Sequence, residues 1–129
     1  MSSPARGGGG MRSRARGLGR WEVPMLRIVD VILNLIRDVA PIEASIRRRD
    51  AELAKQLRDA LNSAALNAAE GSDQRGGRRA NHYAIALGSA REAFVALRAA
   101  EAWGFVGPLP HDVRETMNRV IGTLVKVAR

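Results

Sequence analysis

The stretch LNAAEGSDQRGGRR, residues 66–79, brings Arg75, Arg78 and Arg79 together around a Gly-Gly pair. Guanidinium groups are always charged and present a planar fork of donors, which suits them to phosphate. Such a run could grip phosphate in a catalytic loop, offer a landing site to a polyanion, or simply end a helix. The catalytic version fails on residue types, because no Gly-Lys-Ser/Thr ending is present to handle phosphate and magnesium. The run also follows an alanine-rich segment that looks helical up to Glu70, and the negative end of a helix dipole does not attract anions. The arginines would partly offset that dipole. The expectation is a helix end that can double as a nucleic-acid contact.

Other chemistry is scarce. His82 and His111 are the only histidines, and neither belongs to a His-x3-His or His-Glu pair that would hold a metal. Ser63, Ser89, His82 and Asp73 supply the residue types of a hydrolytic triad, but both serines fall mid-helix without a nucleophile elbow. A catalytic role for Glu70 has nothing to support it. No paired-carboxylate site or dinucleotide fingerprint appears, so the chain reads as a non-enzyme with no cofactor. Trp21 and Trp103 could stack on bases, yet both stand at expected helix ends. There Trp103 is expected to plug the bundle and Trp21 to staple the first helix.

These groups need helices to position them. Alanine and leucine dominate, both strong helix formers, and aromatics make up only 4%. A first helix is expected from Met25 to Ala40, apolar apart from a narrow stripe of Arg27, Asp30, Asn34, Arg37 and Asp38, and therefore mostly buried. Pro41 should end it and open a second helix running to Glu70. The second helix buries Leu53, Leu57, Leu61, Ala64 and Ala68, is frayed or interrupted around IRRRDAE, and is closed by a left-handed Gly71.

A third helix, from about Ala80 to Trp103, carries two faces. Ala86, Ser89, Ala93, Ala96 and Ala100 form a thin one; Tyr83, Leu87, Ala90, Phe94 and Leu97 form a bulkier one. Gly104 closes it, and Pro108 and Pro110 bracket the next connection. A fourth helix starts near His111, with Val113, Met117, Val120, Leu124 and Val127 along a bundle seam. Four helices with short connections imply an all-α, antiparallel up-down-up-down four-helix bundle over residues 21–129.

Of the 129 residues, 21 are basic and 13 acidic, a formal charge of +8. Arg6, Arg12, Arg14, Arg16 and Arg20 lie in an acid-free segment, residues 1–20, so the remainder is only mildly basic. That Arg/Gly-rich segment cannot bury apolar surface and is expected to be disordered. Arg12, Arg14 and Arg16 make it a candidate nucleic-acid-binding tail; the competing reading is a start assigned too early, with Met11 or Met25 as the true one. The absence of cysteine excludes a disulfide framework. No apolar signal region follows the N-terminal arginines, and the most apolar run is too short and too charged to span a bilayer. A soluble, cytoplasmic protein without a membrane role is expected.

Three further stretches carry a resemblance. QLRDALNSAALNAAEGS (residues 56–72), IALGSARE (85–92) and AWGFV (102–106) occur in order. They resemble the four-helix-bundle family that includes the products of 23S rRNA intervening sequences and the accessory variability determinants of diversity-generating retroelements. Asp59 and Leu66 depart from it, standing where the family more usually has an arginine and a small polar residue. The resemblance covers residues from Met25 to the C-terminus. It implies a barrel-like homopentamer of bundles and, in the accessory type, binding to a reverse transcriptase and to RNA or DNA through basic surfaces.

The residues of this motif also have a physical reading. Gln56, Ala60, Ser63, Asn67 and Glu70 follow alternating spacings of four and three and so share one helix face, bordering the apolar stripe. Buried unpaired, each polar group would lose about 1–3 kcal/mol, so hydrogen bonds to a neighbouring helix are expected. Ser89 is a suitable partner, with Gly88 removing bulk beside it and Glu92 completing the second motif. Helix registration or a protomer interface is the expected role of Gln56, Ser63, Asn67, Glu70, Gly71, Gly88, Ser89 and Glu92. A protein-binding assembly scaffold is the competing function, motivated by the two apolar faces of the third helix.

Overall fold

A computed structural model describes the backbone of residues 22–129 and the side chains of residues 28–129. The described chain forms α1 (Glu22–Arg49), α2 (Ala51–Ser72), α3 (Gly76–Trp103) and α4 (His111–Val127). It is all-α, and each helix packs against two others: α1 on α2 and α4, α3 on α2 and α4. The expected tail, with Arg12, Arg14 and Arg16, lies outside the described residues, as does Trp21.

The break expected at Pro41 is absent, and α1 continues through it to Arg49. Proline removes one helical hydrogen bond and clashes with the preceding turn, at about 3 kcal/mol. Pro41 sits on the exposed side of α1, while Val39 and Ile46 are 1% and 0% exposed on the other. Burying two such aliphatic side chains contributes about 1.5–3 kcal/mol each, so tertiary packing outweighs the local penalty.

The interruption falls instead at Asp50, inside IRRRDAE. Its backbone is extended (φ −155°), and its Oδ1 accepts the Leu53 N–H at 3.0 Å, capping α2. The same residue donates its own N–H to Ile46 O at 2.7 Å, so one aspartate ends α1 and starts α2. Glu43, only 8% exposed, ties the two helices together. Its carboxylate meets Arg58 at 2.6 Å and Arg47 at 3.4 Å.

The end of α3 follows expectation. Gly104 takes the left-handed conformation (φ 77°) and donates to Glu101 O, while Phe105 N–H reaches back to Ala100 O at 2.9 Å. Those two bonds are the Schellman closure, which satisfies carbonyls that a helix end leaves unpaired. Glu101 then fastens the connection to α4: its Oε2 accepts the Leu109 N–H at 2.9 Å, with Arg98 and Arg114 at 3.2 and 3.7 Å. The Leu109 N–H, with help from Arg114 and Arg98, holds the Glu101 carboxyl below the usual carboxylate range.

Two groups of side chains fill the core. One contains Leu35, Val39, Ile46, Leu57, Leu61, Leu97, Val113 and Met117, toward the α1–α2 and α3–α4 connections. The other surrounds Tyr83 with Ile28, Ile32, Val120, Leu124 and five alanines, toward the α2–α3 connection. The alanine face of α3 is buried as its spacing implies, from Ala86 through Ala100.

Candidate nucleic-acid interface

The α2–α3 connection is shorter than expected, because α2 extends to Ser72 and α3 begins at Gly76. Gly71 is therefore not a left-handed helix terminator. It lies inside α2, and among the described residues only Gly76 (φ 60°) and Gly104 have positive φ. The need for glycine at residue 71 is steric. A Cβ there would stand 2.6 Å from Tyr83 Cε1 and 2.9 Å from Tyr83 Cζ. Local sequence suggested a helix end; a ring from the next helix is the actual reason.

Tyr83 fills the space so created and is 0% exposed. Its hydroxyl is buried without a hydrogen-bond partner among the described residues, and burial pushes its phenol pKa up. Above its ring lies the Arg79 guanidinium, 5.4 Å from the centroid. Arg79 also donates to Gln74 O at 3.5 Å, so it is partly committed to holding this corner.

Arg78 and Arg79 fall in the first turn of α3, with Arg75 at its N-cap. The dipole argument from the sequence is thereby reversed. Near these side chains the nearest helix end is the positive N-terminus of α3, where backbone N–H groups lack intrahelical partners. Arg75 provides no side-chain cap and the first turn holds no acid. Arg75 and Arg78 are exposed and form no ion pair among the described residues. Cations added to a positive helix end repel it, and an anion bound there would relieve both. Lys126 and Arg129, near the end of α4, extend the charge, since Leu124 and Ala128 pack in the same core group as Tyr83.

Behind this end runs a row of polar contacts between α2 and α3. Ser63 Oγ and Ser89 Oγ are 2.7 Å apart, Asn67 Nδ2 donates to Ser63 O at 3.0 Å, and Asn67 Oδ1 lies 3.0 Å from His82 Nδ1. Ser63 and Ser89 are thus brought together across the seam. His82 joins them only through Asn67, so Ser63, Ser89 and His82 are not arranged as a hydrolytic triad.

The rest of the motif lies apart. Gln56, Glu70 and Glu92 are exposed and make no side-chain hydrogen bond among the described residues. The polar line runs along the rim of the α2 core face, and α3 side chains reach over that rim only near its middle. Gly88 is exposed, and a Cβ there would meet nothing within 4 Å, so it removes no bulk beside Ser89. That role belongs to Gly71, against Tyr83.

Trp103 does not plug the bundle. It is 73% exposed, and its ring lies 6.2 Å from that of Phe105, inclined by 13°. Arg49 stands over the Phe105 ring at 5.5 Å. Neither Arg47–Arg49 nor Glu101 stands out in the sequence as a site. The available signals were the triple arginine directly before the Asp50 cap and a glutamate one turn before Gly104.

Among the described residues no three His, Cys, Asp or Glu side chains gather as a metal site, and no helix is long and apolar enough to cross a membrane. The chain matches no protein-family model, no curated protein and no solved structure.

Proposed function

We propose that this protein is a non-enzymatic, oligomeric nucleic-acid-binding accessory factor, of the type its resemblance to the 23S rRNA intervening-sequence and retroelement accessory proteins implies. The observation that carries the reading is the N-terminus of α3, which has no side-chain cap and no acid in its first turn, with Arg75, Arg78 and Arg79 around it and Asp73 as the nearest acid in sequence. Residues 1–20, with Arg12, Arg14 and Arg16, would add a second basic segment to the same polyanion. Contacts would go mainly to phosphate and depend little on sequence.

An antiparallel up-down-up-down bundle underlies the reading. It is supported by pairs that step in opposite directions along α2 and α3: Ser63 with Ser89, Asn67 with His82, Gly71 with Tyr83. A ring-like homopentamer would repeat the basic end around an axis, and a reverse transcriptase is the protein partner the resemblance implies. Cytoplasmic location goes with that role.

Titrating the chain into labelled structured RNA and duplex DNA at moderate salt tests the reading. Binding to both is expected, weakened for every sequence alike by Arg75→Ala with Arg78→Ala. Absence of binding by the unaltered chain would sink it.

A protein-binding scaffold is the second reading, favoured by Ile85 (43% exposed) and Val95 (67% exposed) on the outward side of α3. It requires a protein partner whose recovery survives nuclease treatment.

A further inference from the structure

The opposite end of the molecule carries a feature the basic end does not need. Trp103 is the last residue of α3, and it leaves most of a large aromatic surface in water. The backbone that follows it is held, and an aromatic ring lies alongside. Gly104 and Phe105 are held by the two bonds of the Schellman closure, and the Phe105 ring lies nearly parallel to the indole. Arg49 sits over Phe105 and belongs to the exposed run Arg47, Arg48, Arg49 that ends α1. Beside Phe105 opens a groove of about 500 Å³ walled by Pro41, Ile42, Val106, Pro108 and Pro110.

Charge narrows the class of ligand. Glu43 is bracketed by Arg47 and Arg58, and Glu101 by Arg98 and Arg114, so both acids are outnumbered by arginines. Asp50 and Glu52 directly after the arginine run, and Asp112 and Glu115 at the start of α4, keep this end from being strongly basic. A duplex, bound chiefly through its phosphates, has little to gain here. Unpaired bases do: every base has a face that stacks on an aromatic ring, and arginines alongside such rings take the backbone.

We propose that Trp103 and Phe105, with Arg49 over the Phe105 ring and Arg48 bonded to Ser45 at the groove, form a stacking platform for unpaired bases of single-stranded nucleic acid. It is a second contact, separate from the basic end, and it takes its ligand class from the function proposed above. The groove beside Phe105 receives the base that continues the stack, and the arginines at the end of α1 meet the adjoining phosphates.

The test uses the full chain carrying Trp21→Phe, which leaves Trp103 as the sole tryptophan reporter. An oligouridylate should quench its emission, and a duplex RNA of equal length should not. In the native chain, Trp103→Ala should weaken oligouridylate binding roughly five- to a hundredfold, leave duplex binding unchanged, and be largely rescued by Trp103→Phe. Unchanged single-strand affinity in Trp103→Ala, or equal quenching by the duplex, overturns the platform. So does an emission change on diluting the protein alone, which would mean that a second copy covers the indole. Duplex binding that responds to Arg75 and Arg78 while Trp103 proves irrelevant would defeat the platform and leave the basic-end reading standing. No binding to either nucleic acid would defeat both.

Discussion

The two ends of the molecule are held by different physics. At the Trp103 end Asp50 caps α2, the Schellman bonds close α3, and Glu101 ties Leu109 to two arginines, although α4 starts after Pro110 without a side-chain cap. The core behind it packs Leu35, Ile46, Leu57, Leu61, Leu97 and Met117 with five alanines and, among the described residues, contains no buried aromatic ring. At the α2–α3 end the core gathers Ile28, Ile32, Val120, Leu124 and five alanines around one tyrosine ring, which is fitted against a glycine. There the helix start has no side-chain cap and carries Arg75, Arg78 and Arg79, with no acid in its first turn. The first end is fastened mainly by polar contacts at its connections; the second is distinguished by a ring fitted against a glycine and by arginines at a helix start.

The contrast predicts opposite sensitivities. At the Trp103 end, removing volume should hurt most. Leu57, 0% exposed, should lose about 2–5 kcal/mol on Leu57→Ala, through lost transfer free energy plus the cavity left behind. Urea unfolding monitored by circular dichroism measures this.

At the other end, adding volume should hurt. Gly71→Ala in an ordinary helix interior would gain about 1 kcal/mol. Here the new methyl meets the Tyr83 ring, and overpacking should reverse the sign and destabilise by about 1–3 kcal/mol. Combining it with Tyr83→Leu, which removes the clashing ring atoms, should cancel the penalty in a double-mutant cycle. A stabilised Gly71→Ala protein would remove the steric account of this glycine.

Much of this was legible beforehand, because it depends on local periodicity. The buried faces of α2, α3 and α4, the Gly104 closure and the start at His111 all follow from spacing and from residue types at helix ends. What escaped depends on partners distant in sequence. Pro41 obeys the burial of Val39 and Ile46 rather than its own helix-breaking tendency. Gly71 answers to Tyr83 on another helix, and the direction of the dipole at Arg78 follows from where α3 begins. Trp103 could not be placed without knowing the path of the chain through residues 104–110, which turns toward α4 and leaves the indole uncovered.

A smaller effect should appear at Glu101, and it depends on pH. Its carboxyl is held below the usual range, so its contribution is complete at neutral pH, above the pKa it has in the unfolded chain. The contribution disappears as pH falls through the lowered folded-state value. Glu101→Gln should therefore lower the melting temperature at neutral pH, and the difference from the native chain should shrink in acid. A difference that stays constant with pH would mean that shape, not charge, fastens the α3–α4 connection.

The basic end itself is tested most directly by how salt weakens binding to duplex nucleic acid. Each phosphate neutralised adds about 0.9 to the slope of log affinity against log salt. The native chain should show a steep slope, and Arg75→Ala with Arg78→Ala should reduce it by about 2, with little dependence on sequence. A slope identical in the two proteins would contradict the placement of phosphate at the start of α3.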